Sequence, residues 1–108
     1  MIIKRLRKVL DEINEIWKEY DSLNSWIGVV WLVRKQLDEI EEADYEALAV
    51  LKEIADILII IVRYLDKIGI DPENLMLYRL NTRHRGKVKE IVEKYAKKFE
   101  EEKKEKTS

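Results

Sequence analysis

Leu48-Ala-Val-Leu-Lys-Glu53-Ile-Ala-Asp56-Ile-Leu-Ile-Ile-Ile-Val62 decides how the chain folds. Apolar residues fall on nearly every side of a helix drawn through it, and a helix that is hydrophobic all round is buried. The spacing predicts a helix over 45–68. Glu53 and Asp56 interrupt the apolar run at i,i+3, on one face. An ionised carboxylate in such surroundings needs a partner or a metal, because removing its charge from water costs several kcal/mol. The rest of the chain must supply those partners.

Outward from this stretch, the chain reads as helices throughout. On the N-terminal side, Leu6, Leu10, Ile13, Trp17 and Tyr20 form an apolar stripe and predict a first helix over 3–20. Asp21-Ser-Leu-Asn-Ser25 is a run of capping and turn residues. A second helix is expected over 26–42, apolar in its first half and polar in its second. Ala43-Asp44 is a short connection with Asp44 as the expected N-cap of the third helix. So short a link makes helices two and three an antiparallel hairpin. Gly69 suits a helix C-terminus, and Asp71-Pro72 an N-cap and first helical position. Leu75, Met76 and Leu80 belong to a fourth helix, which runs into the basic stretch Asn81-Thr-Arg-His-Arg-Gly-Lys87. Val88, Ile91, Val92, Tyr95 and Phe99 mark a fifth helix. The stretch 100–108 has nothing to bury and is expected to fray as a charged flexible tail. The expectation is therefore all-α: an antiparallel bundle of four to five helices forming one domain over 1–99. The apolar surface of helices two and three exceeds what one hairpin covers, so dimerisation is expected to complete the bundle.

Composition narrows the function classes. A formal net charge of −1 argues against nucleic-acid binding as the main activity. With no cysteine, thiolate metal sites and disulfides are excluded. The basic N-terminus leads into a mixed-charge helical pattern and not an apolar signal core, and the run 57–62 is too short for a bilayer. A soluble, cytoplasmic protein without a membrane partner is the expectation.

Counting outward from the 43–44 turn, Gln36 falls within about one helical turn of Glu53, with Glu39 nearer the loop and Asp56 further from it. Gln36, Glu39, Glu53 and Asp56 converge if their faces point together. Three carboxylates and an amide oxygen are hard ligands of the kind Mg²⁺ or Mn²⁺ prefers. The competing reading makes them ordinary bundle charges paired with Arg34, Lys35 or Arg63.

The stretch Glu53-Ile-Ala-Asp56, followed by Gly69-Ile-Asp71 and then by Asn81, Arg83 and Arg85, resembles the MazG-like all-α nucleoside triphosphate pyrophosphohydrolases. The resemblance covers roughly residues 26–86. That family carries an E-x-x-E pair on one helix, E-x-x-D on the next, a Gly-Ile-Asp turn, and then a helix with a Lys and an Asn followed by basic residues. Here Gln36 stands at the first Glu with Glu39 as the second, and Leu77 stands at the Lys. A second register, Glu39 with Glu42, restores E-x-x-E at the helix end. The resemblance implies Mg²⁺-dependent cleavage of a nucleoside triphosphate to monophosphate and pyrophosphate by a dimer or a dimer of dimers. It implies Gln36, Glu39, Glu53 and Asp56 at the metal, Glu39 and Glu53 in catalysis, and Asn81, Arg83 and Arg85 on phosphate or sugar. The base needs an aromatic or apolar slot, for which Trp26 and Trp31 are available; both also read as core, as does Trp17. His84 reads as a surface residue. Gln36 leaves two alternatives beside the enzyme: an inactive relative that binds nucleotides or acts as a helical interaction module, and a plain bundle without a site.

Overall fold

A computed structural model describes residues 5–84 and 86–107, with the side chains of 83, 84 and 105–107 outside the description. Among the described residues there are five α-helices and no strand. The chain divides into two compact units, Met1–Glu73 and Asn74–Ser108, where the sequence suggests one domain over 1–99.

In the first unit, α1 spans Arg7–Trp17, α2 Trp26–Glu42 and α3 Ala47–Lys67. Residues 1–4, which include the expected start of the first helix, lie outside the described residues. A three-residue 3-10 helix, Asp21–Leu23, turns the chain from α1 into α2. Ser25 caps α2 through its hydroxyl, which accepts from the Gly28 amide at 3.1 Å. Gly28 lies where the Leu23 backbone crosses α2. A Cβ there would stand 2.6 Å from the Leu23 carbonyl oxygen, and backbone cannot yield as a side-chain tip does. Gly28→Ala is expected to destabilise the fold by about 1–3 kcal/mol, read as a lower urea midpoint at unchanged slope.

The start of α3 differs from expectation. Asp44 and Tyr45 both adopt left-handed backbone, φ 51° and 58°, and carry the chain through the turn. Glu46 takes the cap in place of Asp44, its carboxylate accepting from the amides of Leu48 (3.1 Å) and Ala49 (2.9 Å). Those two hydrogen bonds hold its pKa below the ordinary value. The end of α3 follows the sequence. Gly69 is left-handed (φ 81°), and the Ile70 amide closes on the Leu65 carbonyl at 2.8 Å.

Packing runs along one antiparallel seam. Val29 of α2 packs with Ile60 and Tyr64 of α3, and Leu32 and Val33 close over them. The Trp26 ring meets the Tyr64 ring edge-on, centroids 4.7 Å apart. The opposite face of the hairpin is uncovered within this unit, and Leu51 and Leu58 are well exposed. The sequence expects α3 to be buried all round; within the first unit only its side toward α1 and α2 is buried.

A polar network docks α1. The Arg63 side chain of α3 is fully buried, at 0% exposure. Both terminal nitrogens donate to Asn24 Oδ1 (2.9 and 3.0 Å), Nη1 donates also to Asn14 Oδ1 (3.4 Å), and the guanidinium lies 4.1 Å from the Trp17 ring centroid. Asn24 in turn donates to the Trp17 carbonyl (2.7 Å), and Asn14 to Asp66 (3.3 Å). Arg7 forms an ion pair with Asp66 at 2.6 Å.

Asp71 accepts from the Glu73 amide (3.0 Å) and Pro72 opens α4, Pro72–Arg79. In the second unit a π-helical turn, Leu80–His84, follows α4, and α5 spans Val88–Thr107. The stretch expected to fray continues as helix to Thr107. Glu and Lys are good helix formers and pair at i,i+4, as Lys89 and Glu93 do at 4.0 Å. No helix among the described residues is long and apolar enough to cross a membrane.

Candidate functional site: a carboxylate pair on the α2–α3 hairpin

The residues from which the site is built descend from the hairpin register. Trp26 stands level with Tyr64 and Val29 with Ile60. Continuing down the antiparallel pair at the same register brings Gln36 level with Glu53, with Glu39 under one turn nearer the loop. From there the Glu39 carboxyl reaches that of Glu53. Glu53 is buried at 6% exposure, while Glu39 is exposed at the hairpin edge. The hydrogen bond between the two carboxyls does most to hold Glu53 above the ordinary carboxylate range. Burial and the negative charges of Glu39 and Asp56 push the same way, and Lys52 opposes them. Glu53 Oε2 is buried without any hydrogen-bond partner. A buried, unsatisfied carboxylate oxygen is costly. The sequence puts Glu53 and Asp56 on the same footing; the structure buries Glu53 and leaves Asp56 half-buried one turn on.

Of the four expected ligands, the structure brings Glu39 and Glu53 together and keeps Asp56 within electrostatic reach. Gln36 is half-buried on α2. Among the described residues no group of three or more Asp, Glu, His or Cys side chains is placed to hold one metal ion. The arrangement is an open pair, not a closed cage. Its donors are all hard oxygens and one of them is orphaned, which fits a hard divalent cation.

The other expected site residues stand elsewhere. Trp31 is half-exposed, and Lys35 Nζ lies 5.3 Å from its ring centroid. Trp31 joins Trp26, Ile27, Val30 and Arg34 around a shallow depression of ≈ 380 Å³. All five belong to α2, so this is one helix face with bulky side chains and not a slot between elements. Asn81 belongs to the second unit and is exposed. Arg85 lies outside the described residues, as does the side chain of Arg83.

Arg63 is the residue whose role the sequence reading missed. It appears there only as a possible partner for the hairpin carboxylates, and the structure pairs it with two asparagines. The signal was present: Arg63 follows Asp56 by seven residues, two helical turns along the same face, at the end of an apolar run.

In comparisons with protein-family models, with curated proteins and with solved structures, nothing matches the chain.

Proposed function

We propose that the chain is a Mg²⁺-dependent nucleoside triphosphate pyrophosphohydrolase, acting as a cytoplasmic homodimer. The observation that carries this reading is the buried Glu53 carboxylate, facing Glu39, with one oxygen unsatisfied. A fold without a ligand there gains nothing from such a group. Glu39 and Glu53 would hold the ion, with the charge of Asp56 within electrostatic reach, and by the resemblance Gln36 would add a neutral oxygen. Mg²⁺ supplies charge neutralisation on the triphosphate and lowers the pKa of water. The protein's own contribution is position and proton transfer. Glu53, fixed by burial, sets the direction of the pair. Glu39, the exposed member, takes the proton as a water oxygen bonds to the α-phosphorus and the bond from that phosphorus to the bridging oxygen breaks. Pyrophosphate leaves with the bridging oxygen.

A second reading has its own support. Gln36 carries no charge, and the described residues form no three-carboxylate cluster. An inactive relative that binds nucleotide without turnover accounts for both. One assay separates them: a panel of NTPs and dNTPs with Mg²⁺, scoring pyrophosphate and orthophosphate separately, with the chain run beside Gln36→Glu. The enzyme reading expects pyrophosphate from both, faster by about 10–100-fold in the variant as a charged ligand is restored. Pyrophosphate from the variant alone supports the inactive relative, and release by neither overturns the hydrolase reading.

A further inference from the structure

Two lysines flank the carboxylate pair, one from each helix of the hairpin. Lys35 is one residue from Gln36 and Lys52 one residue from Glu53, the two positions that stand level across the seam. At about 100° per residue, Lys35 and Glu39 lie about 120° and 80° from the core line through Val29. Lys52 and Asp56 lie about 100° and 60° from the line through Ile60 and Tyr64, in the same rotational sense. Because α2 and α3 run antiparallel, the same sense brings all four to one side of the hairpin. Glu53 falls on the core line itself, which is why it is buried.

The ordinary reading of such lysines is that they neutralise neighbouring carboxylates. The structure does not pair them so. Lys52 and Asp56 stand at i,i+4, yet among the described residues neither Lys52 nor Lys35 forms an ion pair. Lys52 acts on Glu53 through its charge alone. Lys35 Nζ rests over the Trp31 ring, 5.3 Å from its centroid. Both lysines are exposed within the first unit, and Glu53 Oε2 lies buried and unsatisfied beside them.

A seat for a divalent cation alone gains nothing from two ammonium groups at its level, since they repel the ion. A seat for a cation that carries a polyphosphate uses both signs. The carboxylates bind the ion, and the ammonium groups take the phosphate oxygens that the ion leaves uncovered.

We propose that Lys35 and Lys52 are the phosphate-binding residues of this site, holding the triphosphate from α2 and from α3 while Glu39 and Glu53 hold its ion. The assignment rests on the ion seat of the hydrolase reading, and not on turnover. Lys35 leaves the Trp31 ring to reach the phosphate, as its flexible stem allows.

Calorimetric titration of the full chain tests it with two probes, Mg²⁺ alone and Mg²⁺-tripolyphosphate. Lys35→Met and Lys52→Met are each expected to weaken Mg²⁺-tripolyphosphate binding about tenfold, and the double variant about a hundredfold. The same variants are expected to bind Mg²⁺ alone as tightly as wild type or severalfold more tightly, because a repelling charge is gone. Lys18→Met, the same charge change on α1, is expected to alter neither. Four results overturn the assignment: tripolyphosphate binding within twofold of wild type in both variants, equal weakening in Lys18→Met, a parallel loss of binding to Mg²⁺ alone, or a wild type that binds no Mg²⁺-tripolyphosphate. Lysine-dependent binding without pyrophosphate release from any NTP fails the hydrolase reading and leaves the assignment standing. Pyrophosphate release with unchanged KM in both lysine variants does the reverse.

Discussion

Glu53→Gln is expected to abolish the proposed pyrophosphate release, by about 10³-fold or more, and at the same time to raise the melting temperature of the metal-free protein. Both effects have one cause. Glu53 is buried against a second carboxyl and keeps an unsatisfied oxygen. An amide has nearly the same shape, carries no charge, and donates a hydrogen bond to Glu39. It removes the repulsion and with it the ligand. The pH dependence follows from the direction of the shift. The folded pKa of Glu53 stands above the ordinary value, so the native state holds that proton more tightly than the unfolded chain does. Its stabilising contribution is complete below the unfolded pKa and is lost as pH rises through the raised folded pKa. Urea midpoints of the metal-free wild type therefore fall as pH rises across that window, and Glu53→Gln flattens the decline. Saturating Mg²⁺ restores stability at neutral pH in the wild type only, through binding to the native state. A Glu53→Gln variant that melts lower than wild type at neutral pH, or that still turns over substrate, rules out the carboxylate pair as the ion's seat.

Arg63→Ala is the substitution with the largest expected cost in stability, about 3 kcal/mol. It leaves a cavity between α1 and α3 and strips Asn24 Oδ1 of both its donors. It also removes the cation from the face of Trp17. For a chain of this size that is roughly 12–24 °C in melting temperature. Arg63→Met keeps most of the volume and most of the apolar packing on Trp17, and is expected to lose less than half as much. Arg63→Lys keeps the charge but not the planar fork that reaches Asn24 twice, and is expected to fall between the two. Thermal unfolding followed by circular dichroism ranks the three. An Arg63→Ala protein that melts within a few degrees of wild type would show that α1 docks without this network. The Arg63 substitutions test the scaffold and the Glu53 substitution tests the site. The two positions are ten residues apart, about three helical turns, so their effects on stability are expected to add.

The helices and most of their ends were legible in the residues themselves. Trp26–Glu42 is where the change from turn residues to an unbroken helical pattern places it, and Gly69 and Asp71-Pro72 end and restart helices as local backbone chemistry requires. Such features depend on a few neighbouring residues, so sequence determines them. The hairpin was legible for the same reason, since a short connection leaves two long helices no other arrangement; whether Glu39 and Glu53 turn toward each other depended on helix faces that the spacing left open. Local rules failed where two residue types competed for one task. Asp44 is the better capping residue, but the turn needed left-handed backbone there, and the cap passed to Glu46.

Only the tertiary structure decided which carboxylate is buried and which cation is. Glu53 and Asp56 share one face of α3, and a spacing of i,i+3 cannot say which lies deeper. That depends on the angle at which α2 crosses, and it put Glu53 inside and Asp56 at the margin. Arg63 became the fully buried cation because α1 and the turn behind it brought two asparagines and a tryptophan to its guanidinium. Those partners come from 39 to 49 residues away in the chain. Burial and hydrogen-bond partnership at that separation are properties of packing, and no local pattern encodes them.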